Sequence, residues 1–321
     1  MARKELVESM HVPRESTKKS PRSFKYPVFD GEREAIIDAY NRRIKLYGMS
    51  PLDLQDVKMN SLLEVEPALK DIEYSKIIVY SVEGDDEDWE LSGFTKEGII
   101  SGFFPKHIDA HIWTAFTENA RRATPYTGKY DRIVETALRK KSQIPAPPEG
   151  YSCEVAKTDH AEDISALLSV TFQDYPIPID LESIEKRVDQ RDHYFRIMRD
   201  VNGELAAVAS AEIDFGRESA EFTDCATGNG HRGKGLMTFL LWQIEQDLIS
   251  TYGISDLYSL VRAMEVDVNC IFGKLGYQYS GRLINNCRMP EGWESLNIWC
   301  KTAREGSIGD RVDKLSFSAR P

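Results

Sequence analysis

The residues best suited to chemistry lie in one stretch, DCATGNGHRGKGLMTFLL, Asp224 to Leu241. Four glycines and a His231-Arg232 pair stand there before an apolar, helix-periodic run. Glycine weakens helix and strand alike, so this density needs a reason, and anion binding supplies one. A glycine-rich turn running straight into a helix aims free backbone N–H groups at one point, and the helix dipole adds partial positive charge there. Gly233 and Gly235 would let the backbone approach a pyrophosphate without Cβ interference, while Arg232 and Lys234 add charge. The spacing is neither GxGxxG nor GxxxxGK[ST]. Glycines that merely cap a helix are the alternative.

Such a cradle works only if flanking elements hold it, and its surroundings read as α/β. From Tyr151, YSCEVAKT reads as a strand, and Asp159 to Asp174 as a helix with Ile164, Leu167, Leu168 and Phe172 on one face. A break at DYPIPID precedes a second helix from about Leu181. YFRIMRD and ELAAVASAEID flank Asn202-Gly203, a strong hairpin signal. SAEFTDCAT is the next strand, and its period of two puts Glu221 with Thr223 on one face and Asp224 with Phe222 on the other. Leu236, Leu240, Ile244 and Leu248 then form a helical stripe. DLYSLVRA, EVDVNCIFGKLGY and ESLNIWCK read as strand, short helix and closing strand. Hairpins interrupt the alternation, so the fold class is α/β with a mixed sheet.

Upstream, SQIPAPPEG (Ser142 to Gly150) reads as a stiff proline-rich linker. It divides a smaller α/β unit, residues 29–141, from a catalytic unit, residues 151–302. The first unit echoes the second: SKIIVYSV, a polar helical segment, GFTKEGIISGFF and AHIWTAF repeat the order of DLYSLVRA, NCIFGKLGY, YSGRLINN and SLNIWCK. Both close on an Ile-Trp pair, Ile112-Trp113 and Ile298-Trp299. The N-terminal copy lacks the glycine stretch, which suits a degenerate half serving as structure or substrate lid; chance likeness of two α/β segments is the alternative. Residues 1–28, with Lys18, Lys19, Arg22 and Lys25, read as a flexible basic tail, and residues 303–321 as a C-terminal tail.

The chain of 321 residues is 41% hydrophobic and 29% charged, enough for a sizeable core. No apolar run approaches the roughly 20 residues of a membrane span, and MARKELVESMHVPRESTKKSPR has no apolar signal core. Five cysteines, widely spaced and without a CxxC pair, suit a reducing cytoplasm and give neither a disulfide framework nor a zinc site. No metal is expected. A net charge of −11 argues against nucleic acid as a partner. An acidic surface fits a cationic small substrate or simple solubility.

Arg232-Gly233-Lys234-Gly235-Leu236-Met237 resembles the R-x-x-G-x-G/A element of the GCN5-related N-acetyltransferases (GNAT). The order of elements from Tyr151 to Lys301, including NCIFGKLGY, is similar too. The resemblance implies acetyl-CoA as co-substrate, with its pyrophosphate on Arg232–Met237. It also implies that Cys225, Ala226 and Thr227 meet the pantetheine and acetyl carbonyl, and that Asn269 belongs to the coenzyme site. Met237 departs from the usual small residue. Phe272 stands where many relatives carry the tyrosine that protonates the leaving thiolate, which leaves Tyr277, Tyr279 or water for that role. ASAEID, AEFTDCAT, RGKGL, FGKLGY, GRLINN and ESLNIW, in this order, resemble the β-lysine N6-acetyltransferases. That implies the osmolyte Nε-acetyl-β-lysine as product and a functional link to a lysine 2,3-aminomutase; a homodimer is compatible with it.

Acetyl transfer needs a neutral amine, and an ε-ammonium of pKa near 10.4 is only about 0.03–0.05% neutral at pH 7. A base is therefore required. The candidates are Glu212, Asp214, Glu221 and Asp224, with Glu221 favoured as base and Asp224 as binder of the substrate ammonium. Solvated strand carboxylates are the alternative. Arg262 suits the substrate carboxylate, unless a salt bridge to Glu265 occupies it. Asn285, Asn286, Glu294 and Asn297 could bind the second amino group, and Tyr175 could cover the amine. His231 reads as a solvent-facing loop residue. Two competing functions stay open: a peptide-lysine acetyltransferase, which needs an open groove, and a non-catalytic acetyl-CoA module, which Phe272 would suit.

Overall fold

The computed structural model describes residues 22–25, 34–56, 74–172, 175, 177–289 and 292–303. The first half runs β1 (Arg22–Lys25), β2 (Glu34–Asp38), β3 (Arg43–Tyr47), α1 (Pro51–Asp56), β4 (Lys76–Ser81), α2 (Asp86–Leu91), β5 (Thr95–Phe104), β6 (Ile108–Phe116), α3 (Asn119–Arg122) and α4 (Thr127–Leu138). The second runs β7 (Ser152–Val155), α5 (Ala161–Thr171), α6 (Leu181–Asp189), β8 (His193–Arg199), β9 (Leu205–Asp214), β10 (Ser219–Thr227), α7 (Leu236–Asp247), β11 (Asp256–Arg262), α8 (Val266–Lys274), β12 (Gln278–Met289) and β13 (Gly292–Thr302). Two boundaries differ from expectation. Arg22–Lys25, assigned above to a tail, pair with β2 as an edge strand. The helix expected from Asp159 begins as a 3-10 turn, Thr158–His160, and its α-helical part ends at Thr171. Asp174, most of residues 1–28 and residues 304–321 lie outside the described residues.

All these strands join one mixed sheet of order β1-β2-β3-β4-β6-β5-β12-β13-β11-β10-β9-β8-β7. Read outward from the β5–β12 seam, both arms follow the same plan. A hairpin comes first, then a parallel pair, β4 with β3 on one side and β11 with β10 on the other. Even the irregularities repeat. β5 slips against β6 between Lys96 and Gly98 and between Ile100 and Phe104; β12 slips against β13 between Tyr279 and Gly281 and between Leu283 and Cys287. Bulges bend strands at fixed places, so both hairpins are bent alike.

The seam is narrow because two glycines meet on it. Gly98 pairs with Gly281, and a Cβ on Gly98 would lie 2.8 Å from the Gly281 Cα. Buried charge then ties the halves together. Lys76 Nζ donates to Glu97 Oε2 and to the Ile284 carbonyl, each at 2.8 Å, while Glu97 Oε1 accepts from the Ile284 N–H at 2.8 Å. Arg121 donates to the carbonyls of Asn285 and Asn286 and lies over the Trp293 ring. Lys76 and Glu97 pair within the first half, and together they grip the Ile284 backbone of the second, while Arg121 crosses directly to Asn285, Asn286 and Trp293.

The helical stripe behaves as its periodicity requires: Leu236, Leu240, Ile244 and Leu248 are buried in a core with Phe222, Leu257, Phe272 and Trp299. In the other arm, Ile44, Leu46, Trp89 and Trp113 form a separate core. Alternation in β3 turns Arg43, Lys45 and Tyr47 to its opposite face. There they line a cavity of about 1350 Å3 together with Glu212, Glu221 and Tyr258 of the other arm. No described helix is long and apolar enough to cross a membrane.

Candidate active site

One end of this cavity is the glycine turn. Gly233 and Gly235 take left-handed φ values of 77° and 80°, and Gly235 is the residue from which α7 starts. A Cβ would be strained at such angles. No side chain caps the helix, so the first-turn N–H groups, which have no intrahelical acceptor, face the cavity lined by Gly233, Gly235, Leu236 and Met237. Lys234 Nζ donates to the Tyr151 hydroxyl at 2.9 Å, and Tyr151 Oη is 2.9 Å from His231 Nδ1. Arg232 is exposed and donates through Nε to the Thr227 carbonyl at 3.2 Å. An anionic phosphate fits this arrangement of uncapped amides and nearby cations.

The strand entering the turn breaks its own alternation. Asp224 has φ 46°, and the β9–β10 register shifts between Thr223 and Ala226. This bulge turns Asp224 to the side of Thr223, so the face assignment made from the period of two fails after Thr223. Ser210 Oγ donates to Asp224 Oδ2 at 2.6 Å, and Arg187 of α6 forms a buried ion pair with the same carboxylate. Asp224 is 2% exposed. Arg187 and Ser210 occupy Oδ2 and pin α6 to the bulge, while the buried Oδ1 has no hydrogen-bond partner among the described residues. The bulge also aims Cys225 and Thr227 at the cavity, whereas Ala226 is packed in the core. Tyr175, stacked on Phe172, has its hydroxyl at the Asp224 carboxylate; burial first, and that charge second, push its pKa well above 10.

Glu221 keeps the orientation that alternation expects and lines the cavity. Burial and the neighbouring Glu212 raise its pKa to about 7, against the opposing effects of Lys45, a Tyr258 hydrogen bond and Arg43. Glu212 is raised as well, mainly by burial. A carboxylate poised near neutrality is suited to accept a proton at physiological pH.

The other sequence-derived candidates divide sharply. Arg262 lines the cavity, but Glu294 Oε2 lies 2.7 Å from both its Nε and Nη2, and Glu265 Oε1 is 3.3 Å from Nη1. Two carboxylates therefore already neutralise it; Glu294 meets it through Oε2, and its buried Oε1 has no hydrogen-bond partner among the described residues. Asn286 lines the cavity, with a buried Oδ1 that has no hydrogen-bond partner among the described residues. Asn285 instead donates to the carbonyls of Arg121 and Ala123, holding α3. Asn297 and Asn269 are fully buried and bond each other at 2.8 Å. Asn269 Nδ2 also donates to the Arg262 and Glu265 carbonyls, and Oδ1 accepts from Trp299. These amides brace β11, α8 and β13 and do not line the cavity. Tyr277 is likewise internal, donating to Glu245 at 3.2 Å between Phe222 and Phe272, with its pKa pushed far up by burial. It cannot reach a thiolate in the cavity, nor does Phe272 face it.

Sequence reasoning missed the wall contributed by the first half. Asp38, Asn41, Arg43, Lys45, Tyr47 and Tyr80 all line the cavity. The alternation in RIKLY signalled that Arg43, Lys45 and Tyr47 share a face, but nothing local said what that face would meet.

Comparison with known proteins gives a consistent set of likenesses. Residues 161–272 match the model described as Acetyltransferase (GNAT) family. A β-lysine N(6)-acetyltransferase of Methanosarcina mazei is 33% identical over 268 residues, covering 74% of this chain and 96% of that protein. The N-acetyltransferase YodP of Bacillus subtilis is 32% identical, covering 82% and 94%. Among solved structures, spermidine N-acetyltransferase from Vibrio cholerae in complex with CoA and spermine aligns with a TM-score of 0.42 at 14% identity, covering 48% of this chain and 95% of that one.

Proposed function

The chain belongs to the GNAT family and is an N-acetyltransferase, and on that premise we propose that it acetylates the ε-amino group of β-lysine in a ternary complex with acetyl-CoA. The observation that carries this reading is the shared cavity, where an uncapped helix N-terminus and a carboxylate with pKa about 7 open onto one space walled by both signs of charge. Two relatives bearing the name β-lysine N(6)-acetyltransferase support the choice of acceptor. The product would be the osmolyte Nε-acetyl-β-lysine, made in the cytoplasm from the output of a lysine 2,3-aminomutase.

Bound at this site, acetyl-CoA would supply an acetyl group activated as a thioester. The amides and cations of Arg232–Met237 would hold its pyrophosphate, and the backbone of Cys225–Thr227 would orient the pantetheine arm. Glu221 takes one proton from the ε-ammonium, exposing the lone pair that attacks the carbonyl carbon. Its raised pKa narrows the gap to an amine of about 10.4 from roughly six units to three, which makes the proton transfer less uphill. Tyr258 holds the carboxylate through its hydroxyl. Tyr175, its hydroxyl directed at Asp224, covers the acceptor; the second proton shed by the nitrogen passes to the thiolate released as the C–S bond breaks. Thiols of pKa about 8.5 leave without a strong acid, so Phe272 is no obstacle.

The test is turnover of acetyl-CoA by the full chain with β-lysine, α-lysine and a lysine peptide, with the acetylated nitrogen identified by NMR. Acetylation of β-lysine at its ε-nitrogen, with the highest kcat/KM of the three, is the expected result. Preference for the peptide would overturn the small-molecule reading, and no turnover of any amine would return the chain to a binding role.

A further inference from the structure

The cavity needs a fixed cation if its acceptor carries a carboxylate, and most of its cations are already spoken for. Arg262 lies between Glu294 and Glu265. Arg43 donates to Asp38 at 2.8 Å and to the Asn286 carbonyl at 3.0 Å. Arg217 is bound to Asp214 at 2.7 Å and lies over the Tyr47 and Phe103 rings. Arg232 and Lys140 are exposed, and Lys274, also without an ion pair among the described residues, stands in the last turn of α8 on the same arm as Glu221 rather than on the facing wall. Lys45 is different. It is half-buried at the centre of β3, flanked by Ile36 and Ile78 on the neighbouring strands, and no carboxylate lies within ion-pair distance among the described residues. Burial and the neighbouring Arg43 pull its pKa down to about 8, which still leaves it mostly charged at pH 7, and its field reaches Asp38 in its own arm and Glu221 and Glu212 in the opposite one.

Resting on the acceptor reading above, we infer that Lys45 is the specificity-determining residue that binds the acceptor's carboxylate, so that the first half of the chain selects amino acids over simple polyamines. The topology explains why the residue can do this. β3 and β10 occupy corresponding positions in the two arms, each the parallel neighbour of its arm's third strand. Lys45 therefore faces the carboxylates of β9 and β10 across the cavity, opposite in charge. Those opposite charges in one cavity orient an acceptor with an amine at one end and a carboxylate at the other: amine toward Glu221, carboxylate toward Lys45. Reversal would set like charges together at both ends, which disfavours it. Asn286, beside Arg43, leaves its buried Oδ1 open as an acceptor for the second amino group.

The experiment compares β-lysine with 1,4-diaminopentane, its decarboxylated counterpart, using wild type, Lys45→Met and Lys45→Arg. Lys45→Met removes a cation that also acts on Glu221, so both amines share one loss; kcat/KM for β-lysine should fall at least about thirtyfold further than that for 1,4-diaminopentane, the scale for losing a buried charge partner. Lys45→Arg should restore most of the preference. Unchanged coenzyme affinity by calorimetry establishes that the variants are folded. Equal losses for the two amines would overturn the inference and make Lys45 a neutralising partner of Glu221. An unchanged ratio would place the carboxylate elsewhere. If the wild type does not acetylate β-lysine, the proposed function fails by itself, and the same ratio for α-lysine against cadaverine decides the role of Lys45.

Discussion

Glu221→Gln isolates the proton-transfer step. The substitution keeps shape and the Tyr258 contact but removes the group whose pKa burial and Glu212 raise to about 7. At pH 7 about half the wild-type molecules would carry the base, whereas only about 0.04% of an acceptor with pKa near 10.4 is free amine. General-base catalysis is worth roughly 10²–10⁴, so kcat should fall at least a hundredfold at pH 7. The deficit should shrink about tenfold per pH unit as the free amine fraction rises. Measured by thiol release between pH 6 and 9.5, wild-type kcat/KM should show a limb near pH 7 that the variant lacks. Stability gives an independent reading. A carboxylate whose folded pKa lies above its unfolded value of about 4.5 contributes stability below pH 4.5, which is lost as pH rises through about 7. Glu221→Gln should therefore melt with wild type at pH 4.5 and above it at pH 8, by on the order of 1–3 kcal/mol. A variant with the wild-type pH–rate profile would refute the assignment of Glu221 as base.

Asp224→Asn should lower Tm more than amine affinity, because losing one partner of a buried ion pair costs about 3–5 kcal/mol; a raised amine KM at unchanged Tm would instead make Asp224 a substrate ligand. Gly235→Val forces a β-branched residue to φ 80° and should weaken coenzyme binding at least tenfold by calorimetry, and unchanged affinity in a folded protein would contradict the phosphate turn. Gly281→Ala places a methyl 2.4 Å from the Gly98 Cα and 2.3 Å from the Glu97 carbonyl oxygen. It should cost about 1–3 kcal/mol in chemical denaturation, and a neutral result would show that the seam can open without loss.

The sequence alone determined what is local. Period-two and period-3.6 patterns placed the strands and helices, the glycine stretch marked the start of α7, and the echo between SKIIVYSV…AHIWTAF and DLYSLVRA…SLNIWCK anticipated the repeated arm. Glu221 was legible because alternation holds up to Thr223. What escaped depended on which strand lies beside which. Nothing local announces that Asp224 adopts φ 46° and meets Arg187, 37 residues away, or that Glu294 from β13 closes on Arg262. Asn269, Asn297 and Tyr277 carried the right chemistry, yet their side chains point into the layer between helix and sheet and not into the cavity. Lys45 reached the site only because β5 pairs with β12 and joins both arms in one bent sheet. Side-chain direction follows from a few consecutive dihedrals, which a sequence encodes in its periodicity. The partner of a charge follows from the packing of segments hundreds of residues apart, which only the folded chain decides.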